Sequence, residues 1–162
     1  FNYKNKTYKY IMLEYFNGDF FGDCLILTTI LEELEFGTKK YNINFGIKEK
    51  TEDQFIFTED VFLYPELYIV FTQFRKLYFP DFYFTNVMIN HNIEEDRIKR
   101  GKVVSLGLGD YRGGNLIILD DENQKRVVLR SWGHINRFDS TEYEYYFTPF
   151  EGDRYNLIWF NV

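Results

Sequence analysis

Leu-Gly-Asp-Tyr-Arg-Gly-Gly-Asn-Leu at residues 108–116 and Thr-Pro-Phe-Glu-Gly-Asp-Arg-Tyr at residues 148–155 carry the clearest architectural signal in this chain. Both combine aromatic residues, which suit the pleated surface of a sheet, with glycines that readily adopt turn conformations. The adjacent residues Gly113 and Gly114 predict a turn between two strands, required by backbone angles rather than by a ligand. We therefore expect both stretches to belong to antiparallel β-structure.

The surrounding chain, from residue 82 to residue 161, consists of short apolar runs separated by Gly, Asp and Asn. Short strands at this spacing are typical of an antiparallel sandwich or barrel. Strands are predicted at Phe82–Asn90, Val103–Gly109, Asn115–Leu119, Val127–Arg130, Ile135–Phe138, Tyr143–Phe147 and Tyr155–Asn161.

Two amphipathic segments precede these strands. Apolar residues at helical spacing, followed by Gly37, predict a helix over residues 24–36. A second helix is predicted after Pro65, with an apolar stripe that faces the core and contains Leu67, Val70, Phe71, Phe74 and Leu77. One or two strands are predicted in residues 3–16, before the turn signal at Asn17 and Gly18, and short β-like pieces lie at residues 41–47 and 55–57.

The order of these elements, helices before barrel, predicts an α+β chain that is mainly β. Aromatic residues make up 21% of the sequence, which also favours sheet over helix. We expect one domain over residues 1–162, with supporting elements in residues 1–80 and the barrel in residues 82–162.

Charge and composition restrict the partners. The net charge of −6 makes nucleic acid an unlikely partner, and the basic run from Arg97 to Lys102 is interpreted as a solvated loop. The single cysteine, Cys24, excludes an intrachain disulfide, which is compatible with a reducing, intracellular compartment but does not define the localisation. Cys24 lies in an apolar run, which indicates a buried, inert thiol. No apolar run approaches the roughly 20 residues of a membrane span.

Four motifs in order resemble the iron(II)/2-oxoglutarate oxygenases, in particular the nucleobase-hydroxylating and the algal, fungal and viral members. They are Ile-Asn-His-Asn at 89–92, the glycine-rich stretch at 108–116, Phe-Asp-Ser at 138–140 and Pro-Phe-Glu-Gly-Asp-Arg-Tyr at 149–155. The resemblance implies a double-stranded β-helix, or jelly-roll barrel, with the N-terminal helices packed on one sheet.

The resemblance also implies where a site would lie. That family holds iron(II) with two imidazoles and one carboxylate, and an arginine binds the far carboxylate of 2-oxoglutarate. Arg154 occupies the place of this arginine, Asn156 that of a nearby serine, and Asp96 that of the metal carboxylate. The two histidine positions, however, are occupied by Glu94 and Tyr145.

The only two histidines of the sequence, His91 and His134, do not match the family pattern. His91 could replace the first ligand if the strand end were remodelled, and a rebuilt site of His91, Asp96 and His134 is conceivable. The alternative is that both histidines are unrelated to metal binding. Glu94 with Asp96 could hold a hard cation loosely, although an acidic loop end is usually solvated and empty.

Arg154 also has an alternative interpretation. An arginine that faces the interior can be retained for an ion pair, here with Asp110, Asp139 or Glu151, instead of for a bound carboxylate.

The sequence therefore favours a catalytically inactive oxygenase-like domain, without a cofactor, that serves as a structural or protein-interaction module, within a larger assembly or alone. The alternative is an active dioxygenase with a remodelled metal site that uses iron(II) and 2-oxoglutarate to hydroxylate a protein or a nucleobase. A third interpretation is a sugar- or small-acid-binding β-barrel of different connectivity. A protein partner is expected, because abundant Tyr and Phe supply contact area at low entropic cost. The alternative is that these residues simply fill the core.

Overall fold

The structure, a computed structural model, describes residues 15–34, 41–93 and 99–162. The helices in these ranges are α1 (Phe20–Glu33), α2 (Glu59–Leu63) and α3 (Glu66–Tyr78). The strands are β1 (Tyr41–Phe45), β2 (Ile47–Thr51), β3 (Gln54–Phe57), β4 (Asn86–His91), β5 (Lys102–Gly113), β6 (Leu116–Asp120), β7 (Lys125–Leu129), β8 (Asn136–Asp139), β9 (Glu144–Phe147) and β10 (Phe150–Phe160).

The described strands form two larger antiparallel sheets and one separate hairpin. The large sheet has the order β1-β4-β10-β5-β8, the small sheet has the order β7-β6-β9, and β2 pairs with β3. After β5 the chain passes to β6 and β7 in the small sheet, returns to β8, crosses again to β9 and ends in β10. This alternation between two sheets is the topology of a double-stranded β-helix, as predicted.

One face of the large sheet packs against the helices. We call the buried cluster on this face the helix-side core, and Trp159 lies at its centre, with ring centroids 5.0 Å from Phe79 and 5.9 Å from Phe71. The cluster contains Cys24, Leu27, Leu31, Ile43, Phe45, Leu67, Val70, Phe71, Phe74, Phe79, Val87, Ile89, Val104, Leu106, Leu108, Tyr155, Leu157 and Trp159.

The opposite face of the large sheet faces the barrel interior and the small sheet. Its buried cluster, the barrel core, contains Val103, Leu116, Phe138, Tyr145, Ile158 and Phe160. Successive strand residues point to opposite faces. Along β10, therefore, Tyr155, Leu157 and Trp159 face the helices, whereas residues 154, 156, 158 and 160 face the barrel interior.

The first helix begins earlier than predicted. It starts at Phe20 instead of residue 24, because the Phe20 ring packs edge-on against Tyr78 at 5.0 Å and extends the buried stripe. The carboxylate of Asp23, buried within the helix, accepts hydrogen bonds from the backbone N–H groups of Asn17 and Gly18 at 3.1 and 2.9 Å. These bonds tie down the loop before the helix. The predicted end of this helix, residues 35–36, lies outside the described residues.

The second predicted helix is α3 of the structure. It has the predicted buried stripe, except at the last residue of that stripe. Leu67, Val70 and Phe74 are buried, but Leu77 is 46% exposed, so its assignment to the core was wrong. Tyr78 makes the corresponding contact instead, because its ring lies 4.7 Å from that of Phe74 in the last turn.

The strands around the glycine motifs are longer than predicted. β5 continues past Gly109 to Gly113, and β10 begins at Phe150 instead of Tyr155, because the glycines lie within paired strands and do not end them. β4 is shorter and begins at Asn86 instead of Phe82. Strands were also predicted in residues 3–16, and residues 3–14 of that stretch lie outside the described residues.

No helix in the described ranges is long and apolar enough to cross a membrane.

Candidate functional site

Arg154 lies inside the barrel with 1% of its surface exposed. Aromatic rings surround its guanidinium, with centroids 4.0 Å away for Phe150, 5.8 Å for Tyr111 and 5.9 Å for Phe147. Its Nη2 donates a hydrogen bond to the carbonyl oxygen of Ile93 at 3.3 Å. The predicted cosubstrate arginine is therefore a buried cation in an aromatic environment, where its field is poorly screened.

The glycine pair makes room for this guanidinium. Gly113 and Gly114 both have positive φ values, 79° and 64°, and form the turn that leads from β5 to β6. A β-carbon on Gly114 would lie 2.9 Å from Nη1 of Arg154 and 3.3 Å from the Tyr111 ring. Glycine at this position is thus required by the backbone and also by the close approach of the arginine.

The alternative ion-pair partners of Arg154 lie in different surroundings. Asp110 and Glu151 are exposed, whereas Arg154 is buried. Asp139 accepts hydrogen bonds from the backbone N–H of Thr141 at 3.0 Å and from its hydroxyl at 2.7 Å. These bonds lower the pKa of Asp139.

Two fully buried asparagines lie beside Arg154 and form with it one polar wall of the barrel interior. Asn156 and Asn90 are cross-strand partners on β10 and β4, so both face the barrel interior. Asn42 donates a side-chain hydrogen bond to Oδ1 of Asn90, but Nδ2 of Asn90 has no partner among the described residues. The buried hydroxyl of Ser105 on β5 likewise has none there. A buried donor without a partner is costly, which makes this wall suited to a polar ligand or to water.

A tyrosine closes part of the same wall. The hydroxyl of Tyr111 lies 2.9 Å from Oγ of Ser131, which donates to the carbonyl oxygen of Gly114 at 2.5 Å. A β-carbon on Gly107 would lie only 1.9 Å from the Tyr111 hydroxyl, so glycine is required for this side chain to fold inward. Because of these contacts, Tyr111 is held over the barrel interior.

Tyr145, at the second predicted histidine position, also faces the barrel. It lies on β9 with 4% exposure and packs against Phe138 at 4.8 Å and Phe147 at 6.3 Å between ring centroids. Phe147 contacts Arg154 as well, so Tyr145 and Arg154 line the same interior. The link between these two predicted positions is therefore the ring of Phe147, which lies near both.

The remaining two predicted metal positions, Glu94 and Asp96, lie outside the described residues. The chain that leads to them is anchored beside Arg154. The backbone N–H of Arg154 donates to Oδ1 of Asn92 at 2.7 Å, and the backbone N–H of Asn92 donates to the carbonyl oxygen of Arg154 at 3.0 Å. Asn92 also adopts a left-handed φ of 54°, which asparagine tolerates better than most residues.

His91 lies on the opposite face of the large sheet. Its ring stacks on that of Tyr155, with 4.3 Å between centroids and an interplanar angle of 6°, and Tyr155 belongs to the helix-side core. Its Nε2 is 2.8 Å from Oδ1 of Asp153, which also accepts a hydrogen bond from Nδ2 of Asn92 at 2.7 Å. The neighbouring Asn90 faces inward, and the alternation of strand residues therefore directs His91 outward.

The environment of His91 shifts the pKa values of two neighbouring groups, Asp153 and Tyr155. Partial burial works to raise the pKa of Asp153, but hydrogen bonds from Asn92 and His91 outweigh this effect and leave its pKa below the ordinary value. Burial, together with the charges of Asp153 and Glu32, raises the pKa of Tyr155 to about 12. The phenol against which His91 stacks is therefore neutral at physiological pH.

His134 is exposed, and its Nδ1 lies 3.0 Å from the carbonyl oxygen of Trp132. Neither histidine of the chain points into the barrel. Within the described residues, therefore, the two histidines do not form the pair of imidazoles inside the barrel that an iron(II) ion of this family would need.

Cys24 has the properties expected of an inert thiol. It is buried at the side of α1 that faces the sheet, and burial, aided by the charge of Asp23, raises the pKa of its thiol to about 12. A thiol that stays protonated is a poor nucleophile and a poor metal ligand.

Several of these residues were not identified from the sequence as parts of a site. Asn90 and Ser105 are polar residues at buried positions next to apolar strand residues, and this pattern is the signal that could have indicated them. Ser131 is also buried but lies outside the strands, so this signal does not mark it. The sequence alone did not give the register that places Asn90 opposite Asn156.

Solved structures of other proteins have folds similar to that of this chain. NgTET1, solved in complex with 5mC DNA, has a TM-score of 0.57 and 14% identity, and the match covers 85% of this chain and 67% of that chain. A 2OG-Fe(II) oxygenase family oxidoreductase from Burkholderia pseudomallei has a TM-score of 0.51 and 10% identity, covering 82% of this chain and 75% of that chain. No protein-family model and no curated protein matches the sequence.

These likenesses confirm the predicted architecture. The chain has the double-stranded β-helix fold of the 2OG-Fe(II) oxygenases, with helices packed on one sheet.

Proposed function

We propose that this chain is a catalytically inactive domain with the oxygenase fold, and that it acts as a structural or protein-interaction module. The observation that carries the proposal is the placement of the two histidines. His91 faces the helices and is bound to Asp153, and His134 is exposed. Tyr145, which the sequence resemblance assigns to the second histidine position, is part of the barrel core.

The chemistry of the available donors supports this proposal. Iron(II) affinity at such a site rests largely on imidazole nitrogens, and a phenol with an ordinary pKa near ~10 is a poor substitute at neutral pH. Packing of Tyr145 among Phe138 and Phe147 further favours a structural role for this side chain. Without bound iron(II) the domain would have no means of activating dioxygen.

A test of inactivity is turnover of 2-oxoglutarate. The whole chain, supplied with iron(II), ascorbate and 2-oxoglutarate in air, is expected to release succinate no faster than the same mixture without protein. Release of one or more succinate per chain above that blank, abolished by Asp96→Ala, would contradict the proposal and favour an active dioxygenase with a remodelled site.

A retained carboxylate-binding pocket is a second candidate function, and it is compatible with inactivity. Arg154, Asn156 and Asn90 supply buried nitrogen donors on one interior wall, and a guanidinium can pair bidentately with a carboxylate. Calorimetric titration with 2-oxoglutarate or succinate tests it. Binding that is lost in Arg154→Gln and retained in Asp110→Asn would support it, and no heat of binding to the folded chain would exclude it.

A further inference from the structure

The hairpin of β2 and β3 exposes an unusual amount of aromatic surface. Phe55 and Phe57 on β3 are 52% and 59% exposed, and Phe62 on the adjacent helix α2 is 72% exposed. Large apolar side chains clustered at the surface are typical of interaction sites, whereas scattered ones are not. The rings of Phe57 and Phe62 contact each other edge-to-face at 6.2 Å, so these side chains form one surface. We call Phe55, Phe57 and Phe62 the aromatic face.

The strand register places two neighbouring charged residues of the hairpin on opposite sides. Cross-strand partners share a side of a sheet. Glu49 is paired with Phe55 and therefore borders the aromatic face, whereas Lys48 is paired with Ile56 on the opposite side. In α2, Glu59 lies three residues before Phe62, which places the two on the same side of the helix. The two charges that the register and the helix spacing place beside the aromatic face, Glu49 and Glu59, are thus acidic.

We propose that the aromatic face is a docking surface for another protein, and that it binds an apolar segment flanked by lysine or arginine. The aromatic rings supply the contact area, and exposed Phe faces also attract guanidinium and ammonium groups. Glu49 and Glu59 select basic flanking residues over acidic ones. A second copy of this chain would bring the same carboxylates together, so charge complementarity favours a different, basic partner. The inference deepens the proposed interaction role and rests on that part of the proposed function, but it is independent of catalytic inactivity.

Two model peptides test this inference with the whole chain. One alternates leucine with lysine over about ten residues, and the other has glutamate in place of every lysine. Fluorescence anisotropy of the labelled peptides is expected to show binding of the leucine-lysine peptide at least about tenfold tighter than binding of its glutamate twin. We expect Phe57→Ser and Phe62→Ser each to weaken this binding by about tenfold or more.

Ile56→Ser is the matched control, because Ile56 lies on the same strand, is 39% exposed and faces the other side. It should leave peptide binding within about twofold of the unchanged chain. Glu49→Lys should reduce the preference for the basic peptide. Circular dichroism melting of each variant verifies that it is folded.

Three outcomes would overturn the inference: equal binding of both peptides, no binding of either, or an equal loss in Ile56→Ser. Sedimentation showing a dimer that Phe57→Ser dissociates would also overturn it, in favour of a second copy as the occupant. These outcomes are distinct from a positive succinate-release assay, which would contradict inactivity and leave the docking surface unaffected.

Discussion

At the scale of single residues, a step of one position along a strand separates the barrel interior from the helix side of the large sheet. Arg154 faces the barrel interior, and Tyr155, the next residue, faces the helices and stacks on His91. Motif spacing in the sequence could place Arg154 near a site, because its neighbours match a known pattern. It could not show that His91 faces outward, because that depends on the register between β4 and β10.

The contact between His91 and Asp153 predicts a specific dependence of stability on acid pH. Since the pKa of Asp153 is lowered in the folded chain, its ionised form stabilises the fold above the ordinary carboxyl pKa of about 4, and this contribution is lost as the pH falls through the lowered value. Asp153→Asn should therefore be less stable than the unchanged chain at pH 6, and the difference should shrink toward pH 3. Urea unfolding at both pH values measures it. A difference that is constant with pH would show that the ionised contact contributes nothing.

At the scale of elements, the glycine motif is explained by the pairing of β5 with β10. Gly109, in the Leu-Gly-Asp sequence, has a φ of 106°, and a β-carbon there would lie 2.3 Å from the carbonyl oxygen of Asp153. The sequence correctly indicated a backbone requirement for glycine in this motif. It suggested that the strand ends at Gly109, because a glycine usually marks a turn and the partner strand was not known.

Gly109→Ala is expected to destabilise the chain by at least about 2 kcal/mol more than Gly101→Ala. Gly101 also has a positive φ, 75°, but nothing lies within 4 Å of its β-carbon position, so it controls for backbone strain without the clash. The free energy of unfolding from urea titration decides the matter. Equal losses in the two variants would mean that β10 moves away without cost.

The helices provide a second comparison at this scale, between a buried and an exposed position of α3. Phe74 is fully buried and stacks against Trp159 at 6.1 Å, whereas Leu77 is 46% exposed. Phe74→Ala should cost roughly 3–5 kcal/mol through lost burial and the cavity that remains, and Leu77→Ala less than about 1 kcal/mol. Thermal or urea unfolding of both variants measures the difference. Similar losses would mean that the helix packs in a different rotation.

At the scale of the whole molecule, the sequence predicted the fold better than the site. Turn residues, short strands and two amphipathic helices were sufficient for a mainly β architecture with helices first, and the order of motifs indicated the double-stranded β-helix. The interior wall of Asn90, Ser105 and Ser131 depends on contacts between strands that are distant in sequence. The exposed hairpin was likewise not recognised as a surface, because alternation of residues does not reveal which side lacks a covering element.

The proposed inactivity depends on the absence of an imidazole pair inside the barrel, and equilibrium binding of iron(II) to the anaerobic chain tests this absence most directly. Because His91 and His134 lie outside the barrel, we predict weak binding that His91→Ala and His134→Ala leave unchanged. A variant with Glu94→His and Tyr145→His should bind iron(II) roughly tenfold to a hundredfold more tightly than the unchanged chain, since it adds two nitrogen donors. Stoichiometric, tight binding by the unchanged chain that is lost in His91→Ala would show that a histidine-based iron(II) site exists and would contradict the proposed inactivity.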